Sequence, residues 1–369
     1  MAPLLGISPT VNPPLSMKVL LPISLDRVTS PIPTLLRAVV RHNPEIEFYS
    51  FSNPVTDEDQ KMRGVIWELP NLTMVSKTDI VLRKYDFVHH ASASKNNYRA
   101  SRIARIRGMG ATRHVFTANC QPYPTHQRRD LLIKCVKDAD VVISVSQIVA
   151  DDFAKAAGRK SDAVIPNGFD PEFYSISPQP TKHITILQSD SPYVLFASAF
   201  IDRKKPEFIL DLAARMPETK FVMVGATSDH ERVEKIKTRA AELGNVQFVG
   251  MVSREQLRDL MQGATAMAYP SEYEGLPLTV IEAMGTGLPV IAQPKSSLPE
   301  LITHGENGWL ADIADIGFWK QQLTEISQWS PDGRAHHSSK TRDSVERRYS
   351  WKAVGEAYGP VYEKFLVRK

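Results

Sequence analysis

Cysteine is scarce in this chain, with only Cys120 and Cys135 among 369 residues. Two cysteines cannot build a disulfide framework and lack the spacing of a zinc site, so a reducing compartment, the cytoplasm, is expected. No His/Cys cluster with metal-ligand spacing is present, and neither a metal nor a cofactor is expected. Glycine is missing between Gly6 and Gly64, so no glycine-rich loop follows the first apolar run to let backbone approach a ligand. The first sixteen residues have no basic segment and carry prolines at 3, 9, 13 and 14. They resemble neither a secretion signal nor a membrane span and read as a loose leader before Met17.

Acidic residues are also missing between Asp86 and Asp130, where Lys95, Arg99, Arg102, Arg105, Arg107, Arg113, Arg128 and Arg129 fall. The net charge of +4 is therefore uneven. Residues 1–180 hold 22 Lys/Arg against 17 Asp/Glu, and the remainder is close to neutral. A charge run of this kind is usually a solvated helix face, but it is also where an anionic ligand or surface would approach. Lys95, Arg99 and Arg102 recur at helical spacing with Tyr98, Ile103 and Ile106 nearby, which predicts an amphipathic helix with a cationic face. An anionic membrane surface reached through Lys95–Arg113, a phosphorylated lipid carrier or an anionic polysaccharide would suit it. The stretch has no aromatic ladder and the overall charge is modest, so a nucleic-acid partner is not expected.

What is present is a globular composition, 42% apolar and 23% charged, in a chain long enough for about two to three domains. Short β-branched runs alternate with helical patterns: Met17–Pro22, Phe87–His89, His114–Thr117, Asp140–Val145 and Val164–Pro166 read as strands. Between Pro171 and Pro192 the periodicity dissolves among four prolines, the best interdomain boundary. The rhythm then restarts with strands at Tyr193–Phe200, Phe221–Gly225 and Val246–Gly250, and a capping-box pair, Ser253 and Gln256. An α/β chain of two doubly wound, Rossmann-like domains follows, spanning 17–175 and 176–345, with 346–369 a terminal helix crossing back to the first.

The most informative stretch is Pro270–Val290, PSEYEGLPLTVIEAMGTGLPV. A strand ends at Tyr269, a turn holds Glu274 and Gly275, Pro277 suits a helix start, and Gly285 and Gly287 close the helix. Glu282, about one turn into that helix, can share a rim with Glu274 while the helix start offers bare N–H groups to an anion.

This stretch resembles the donor-sugar motif of family-four retaining glycosyltransferases of the GT-B fold, in which two glutamates are separated by seven residues. The similarity extends to FASAFIDRKK at 196–205, FVMVG at 221–225, ELITHGENGWL at 300–310, VIPNGFDPEF at 164–173 and YSWKAVGEAYGPVYEKF at 349–365. It covers roughly 140–369 well, and 17–140 only in rhythm. It implies two Rossmann-like domains facing across a cleft, a nucleoside-diphosphate sugar as donor and a hydroxyl acceptor, with catalysis at the inner face of a membrane where the acceptor is lipid-linked. Carried over residue by residue, Glu282 holds the ribose. Arg203 and Lys204 offset the diphosphate, Glu274 orients the sugar, and the backbone of Gly275, Leu276, Leu278 and Thr279 meets sugar and phosphate. Gly225 and Val252 match positions near the nucleobase. On the acceptor side, Asn119 stands where many members have histidine, and His89 and His90 match a region that often holds one. Ala199 stands where many members have an arginine. An epimerase-like enzyme that remodels a nucleotide sugar, and a non-catalytic binding relative, are the competing readings.

Overall fold

The computed structural model describes residues 17–25, 31–51, 69–76, 78, 82–91, 93–177, 186–187, 191–226 and 228–366. The expected leader, Ser30 of the region without glycine, and residues 178–185 and 188–190 of the expected boundary lie outside them.

Two parallel sheets organise the chain. The first contains β1 (Lys18–Ser24), β2 (Glu47–Phe51), β3 (Leu72–Val75), β4 (Phe87–His90), β5 (Arg113–Ala118), β6 (Val141–Ser144) and β7 (Ala163–Val164). Their spatial order is β3-β2-β1-β4-β5-β6-β7. The second contains β8 (Tyr193–Ala197), β9 (Lys220–Val224), β10 (Val246–Gly250), β11 (Ala266–Tyr269), β12 (Val290–Ala292) and β13 (Trp309–Leu310), in the order β10-β9-β8-β11-β12-β13. Each order reverses beside its first strand, the switch point at whose carboxyl edge open α/β sheets bind ligands. Helices cover the faces, and the buried strands read as near-continuous apolar runs, as two-sided burial requires.

Local chemistry sets the strand boundaries. Pro22 sits inside the central strand β1, where a proline would break the ladder. The register slips between Leu21 and Ser24, so the proline falls at a bulge and the strand runs on to Ser24. At the other edge Pro166 has no N–H to donate, and pairing shrinks to Ala163–Val164. Strands β2 and β3, which periodicity did not reveal, are held by Asn71, whose amide donates to the carbonyls of Val40, Asn43 and Ile46. The basic stretch forms the helix Lys95–Arg107 as expected, with Ser94 accepting from the Asn97 N–H as its cap.

The chain ends on the first sheet. Helix Trp351–Glu356 lies against helix Pro31–Arg41, with the Asn43 amide donating to Gly355 O at 2.8 Å. Tyr358 and Tyr362, both fully buried, join the core of Val19, Leu21, Phe48 and Phe87. A second apolar cluster spans both lobes, from Phe116 and Val142 through Phe169 and Tyr174 to Met267 and Met284. At about 1.5–3 kcal/mol for each fully buried large apolar side chain, such clusters dominate the cohesion of the fold.

Candidate functional site

After β8 the chain makes a single 3-10 turn, Asp202–Lys204, and Lys205 takes a left-handed φ of 51° before Pro206 opens the next helix. The Arg203 carbonyl accepts from the Glu272 N–H at 2.8 Å and from Ser271 Oγ at 3.2 Å. This straps the basic turn to the loop that leaves β11, so residues seventy positions apart share one corner at the carboxyl ends of two adjacent strands.

Glu274 is the centre of that corner. Its side chain is only 8% exposed, and its carboxylate accepts from Lys204 Nζ, from Tyr269 Oη at 2.7 Å and from Ser271 Oγ at 2.6 Å. Arg203 lies 3.4 Å from the second oxygen and donates to Tyr273 O at 2.5 Å. Lys204, 9% exposed, also donates to Tyr269 Oη at 2.9 Å. Burial pushes the Glu274 carboxyl upward, but the charges of Lys204 and Arg203 outweigh it and hold the group below its ordinary value. Burial likewise draws the Lys204 ammonium down against the pull of Glu274. The three residues expected to act on diphosphate and sugar therefore form one hydrogen-bonded cluster.

Glu282 occupies a different environment. It is half-buried on helix Leu278–Gly285, close to the Tyr174 hydroxyl and to Arg254. The Arg254 guanidinium stacks 4.3 Å above the Phe173 ring. Burial raises the Glu282 carboxyl above its ordinary value, against the opposing effects of Tyr174 and Arg254. Leu278 and Thr279 begin the helix behind Pro277, which provides no side-chain cap, and the first backbone bond of that turn runs from Ile281 N to Pro277 O. Their N–H groups precede that bond and have no acceptor in the helix.

At Gly275 the lobes are in close contact. A Cβ on it would overlap the Asn119 carbonyl of the first lobe, so only glycine fits. Side chains of the first lobe grip the same loop: Ser146 Oγ donates to Gly275 O at 2.6 Å, and the buried Asn167 amide donates to Leu276 O at 2.9 Å. Glu300 of the second lobe accepts from the N–H groups of Gln147 and Ile148 at 2.8 and 2.9 Å, capping the first-lobe helix Gln147–Ala157 with a carboxylate. The Tyr123 and Tyr273 rings stack across the lobes at 5.0 Å. None of these contacts follows from the local sequence pattern.

Gly225 and Val252 stand at the ends of neighbouring strands. Gly225 has φ of 147°, donates to Gly250 O, and could not carry a Cβ without overlapping the Ser198 carbonyl. Val252 is half-buried against the interlobe apolar cluster. The Asn119 amide donates to Ala91 O at 2.8 Å and Thr117 O at 3.2 Å, so its NH₂ pins the loop, and its carbonyl oxygen has no hydrogen-bond partner among the described residues.

For His89 and His90 the structure corrects the acceptor-side expectation. Both are fully buried on both faces of β4. His89 bonds Tyr362 Oη at 2.6 Å and Thr117 Oγ1 at 2.8 Å, and burial with the nearby His114 pushes it down to about 3. His90 bonds His114 at 2.6 Å. Two-sided coverage of a parallel sheet turns one histidine toward the terminal helix and the other toward His114. Asp138 and Asp140, spaced as metal-binding carboxylates can be, are taken up by Tyr98 and by the His114 N–H and Arg105. Among the described residues no group of three or more His, Cys, Asp or Glu could hold a metal.

Residues 180–340 match the family described as glycosyl transferases group 1. Among curated proteins the chain is similar to a D-inositol 3-phosphate glycosyltransferase of Mycolicibacterium smegmatis, 27% identical over 241 residues, 63% of this chain and 54% of that one. It is also similar to a GDP-mannose-dependent monoacylated alpha-(1-6)-phosphatidylinositol monomannoside mannosyltransferase of Corynebacterium glutamicum, 24% identical over 62% of this chain and 63% of that one. The chain spans about half the length of the first curated relatives it matches. Among solved structures it resembles Anabaena HepE in complex with UDP and glucose, with TM-score 0.76 and 19% identity over 94% of this chain and 100% of that one.

Proposed function

From the match of residues 180–340 to the group 1 glycosyl transferases and from the GT-B fold, we propose that this chain transfers a hexose from a nucleoside-diphosphate sugar to a hydroxyl acceptor with retention at the anomeric carbon. The observation that carries this reading is the buried Glu274–Lys204–Arg203 cluster at the strand ends, with Glu282 on the helix that follows. Glu282 accepts the ribose hydroxyls. Arg203 and Lys204 turn from Glu274 to the diphosphate, and the N–H groups of Leu278 and Thr279 add a fixed positive field at the helix start. As the bond from the anomeric carbon to the phosphate oxygen breaks, its electron pair leaves with the diphosphate, where these groups stabilise the charge. The acceptor oxygen attacks from the same face and passes its proton to the leaving phosphate. No side-chain base is needed, which is compatible with Asn119 at the position of the missing histidine.

The relatives named for phosphatidylinositol and inositol phosphate support an acceptor carrying a phosphorylated group. The outer face of helix Lys95–Arg107 supports an anionic membrane as its setting. Arg99 and Arg102 are exposed there beside Ile103, Ile106 and Met109, the last two at 70% and 81% exposure. No helix among the described residues is long and apolar enough to cross a membrane.

A thermal-shift panel of nucleoside diphosphates and their sugars tests the donor. At 100 times its dissociation constant a true donor stabilises by about 2.7 kcal/mol. The Glu282→Ala variant should lose that shift along with acceptor-dependent release of nucleoside diphosphate. A panel in which no nucleotide shifts the wild-type chain sinks the reading.

A further inference from the structure

Within the acid-free stretch two helix starts converge on a cavity of about 640 Å³ in the first lobe. Ser94 and Lys95 line it from the start of helix Lys95–Arg107, and His126, Arg128, Arg129 and Asp130 from the start of helix Arg129–Asp138. We propose that this cavity is a subsite for a phosphate group borne by the acceptor, a use that rests on the glycosyl-transfer reading for its place in the reaction.

Three observations support the assignment. The cations outnumber the carboxylates: Lys95 and Arg128 are exposed and form no ion pair among the described residues. Asp130, the one carboxylate in the lining, is fully exposed and 3.9 Å from Arg129. A single carboxylate ligand would leave most of this charge uncompensated, whereas a phosphate monoester carries about −1.5 to −2 at pH 7. Second, helix Arg129–Asp138 starts without a side-chain cap; the Arg129 N–H is taken by the His126 carbonyl at 3.0 Å, and the Asp130 and Leu131 N–H groups that follow have no acceptor in the helix and face an anion at the positive end of its dipole. Third, the cavity wall reaches the donor corner. The His126 ring packs edge-on to Tyr123 at 4.9 Å, Tyr123 stacks on Tyr273 at 5.0 Å, and the Tyr273 carbonyl accepts from Arg203. His126 Nδ1 accepts the Arg128 N–H at 3.0 Å, which directs its Nε2 toward Cys120 Sγ at 3.7 Å. A phosphorylated acceptor anchored at Arg128 and Arg129 would thus sit one aromatic pair away from the sugar held at Glu274. The volume lies within the range of pockets that take small molecules.

The same phosphate chemistry can come from a small soluble acceptor or from a lipid headgroup, and the experiment separates them. The full chain is titrated calorimetrically with glycerol 3-phosphate and with glycerol, and sedimented with phosphatidylcholine vesicles with and without phosphatidate. We expect glycerol 3-phosphate to bind and glycerol not to bind, with the affinity falling at least tenfold in the Arg128→Gln/Arg129→Gln variant and unchanged in Arg239→Gln on the other lobe. Phosphatidate-dependent sedimentation abolished by the same pair assigns the headgroup; soluble-probe binding without it assigns the soluble acceptor. Equal binding of glycerol and glycerol 3-phosphate, no binding of either phosphate probe, or binding indifferent to the paired substitution overturns the subsite. The nucleotide panel is read separately. A chain that binds glycerol 3-phosphate but no nucleotide keeps the subsite and loses the donor reading, and the converse result does the reverse.

Discussion

The two lobes present positive charge to their shared face in opposite ways. In the second lobe each cation at the donor corner is already paired: Lys204 and Arg203 with Glu274, and Lys205 with Glu272 at 3.1 Å. In the first lobe Lys95 and Arg128 stand exposed around a cavity with one solvated carboxylate. A paired, buried cation is held in place by its partner but has to exchange that partner for any ligand, so its net attraction is small and its placement accurate. An exposed cation attracts from a distance and is screened by salt. On this comparison the second lobe positions a phosphate and the first lobe gathers one.

Substitution of Lys204 puts the largest strain on the comparison. Lys204→Met leaves the Glu274 carboxylate buried without its main partner, which is expected to cost about 3–5 kcal/mol of stability. The double variant Lys204→Met/Glu274→Leu should recover most of it, because an apolar pair of similar volume replaces both charges. Both variants should lose the nucleotide-dependent thermal shift. Denaturant midpoints check the first two statements. A single variant that costs under about 1 kcal/mol would mean that the corner is solvated and resembles the first lobe after all.

Gly275→Ala tests whether the lobes have to touch for the contrast to matter. The new methyl would overlap the Asn119 carbonyl, and with backbone on both sides neither can rotate away. The lobes should part locally, losing the Ser146 and Asn167 bonds to the loop carbonyls, at a cost of about 1–3 kcal/mol. Small-angle scattering should register a larger radius of gyration. An unchanged envelope with full stability would show that the seam at Gly275 is not what joins the lobes.

Much of the second lobe was legible because its punctuation is dense. Pro206, Gly225, the Ser253 box, Pro277 and Gly287 mark element boundaries by local backbone chemistry, and Glu274, Glu282, Arg203 and Lys204 fall at fixed places in that frame. The first lobe lacks such marks: no glycine falls between Gly6 and Gly64, and β2 and the edge strand β3 show no strong alternation and are tied in by one asparagine amide. What no local pattern could reveal is pairing across distance. Glu300 meets Gln147 from 153 positions away, and Ser146 meets Gly275 from 129. His126 is an example: it had no visible partner in the sequence, and it lies on the wall between a cationic cavity and the donor corner. The histidines at the end of β4 erred the other way, since their positions suggested a rim and the terminal tyrosines and His114 enclosed them.

The two glutamates of the donor segment carry the contrast of paired and unpaired charge into one lobe, and pH resolves it with the smallest expected effect. Glu274 is held below its ordinary value of 4.5, so the folded state binds its proton less readily than the unfolded state does. The stability it contributes is present above 4.5 and lost as pH falls through the lowered value. Glu282 is raised above 4.5 by burial, with Tyr174 and Arg254 opposing. Its folded form holds the proton longer, so the stability it contributes is full below 4.5 and declines as pH rises toward the raised value. A ribose held by an ionised Glu282 should then bind more tightly as pH climbs through that window, while the free protein becomes slightly less stable. Glu282→Gln removes both slopes, and Glu274→Gln leaves them in place while removing the loss of stability below 4.5. Nucleotide titrations at several pH values, set beside unfolding curves of the free chain, measure the two slopes in the same sample. No slope in either measurement would mean that Glu282 is ionised throughout the window and that the segment holds two charges of one kind.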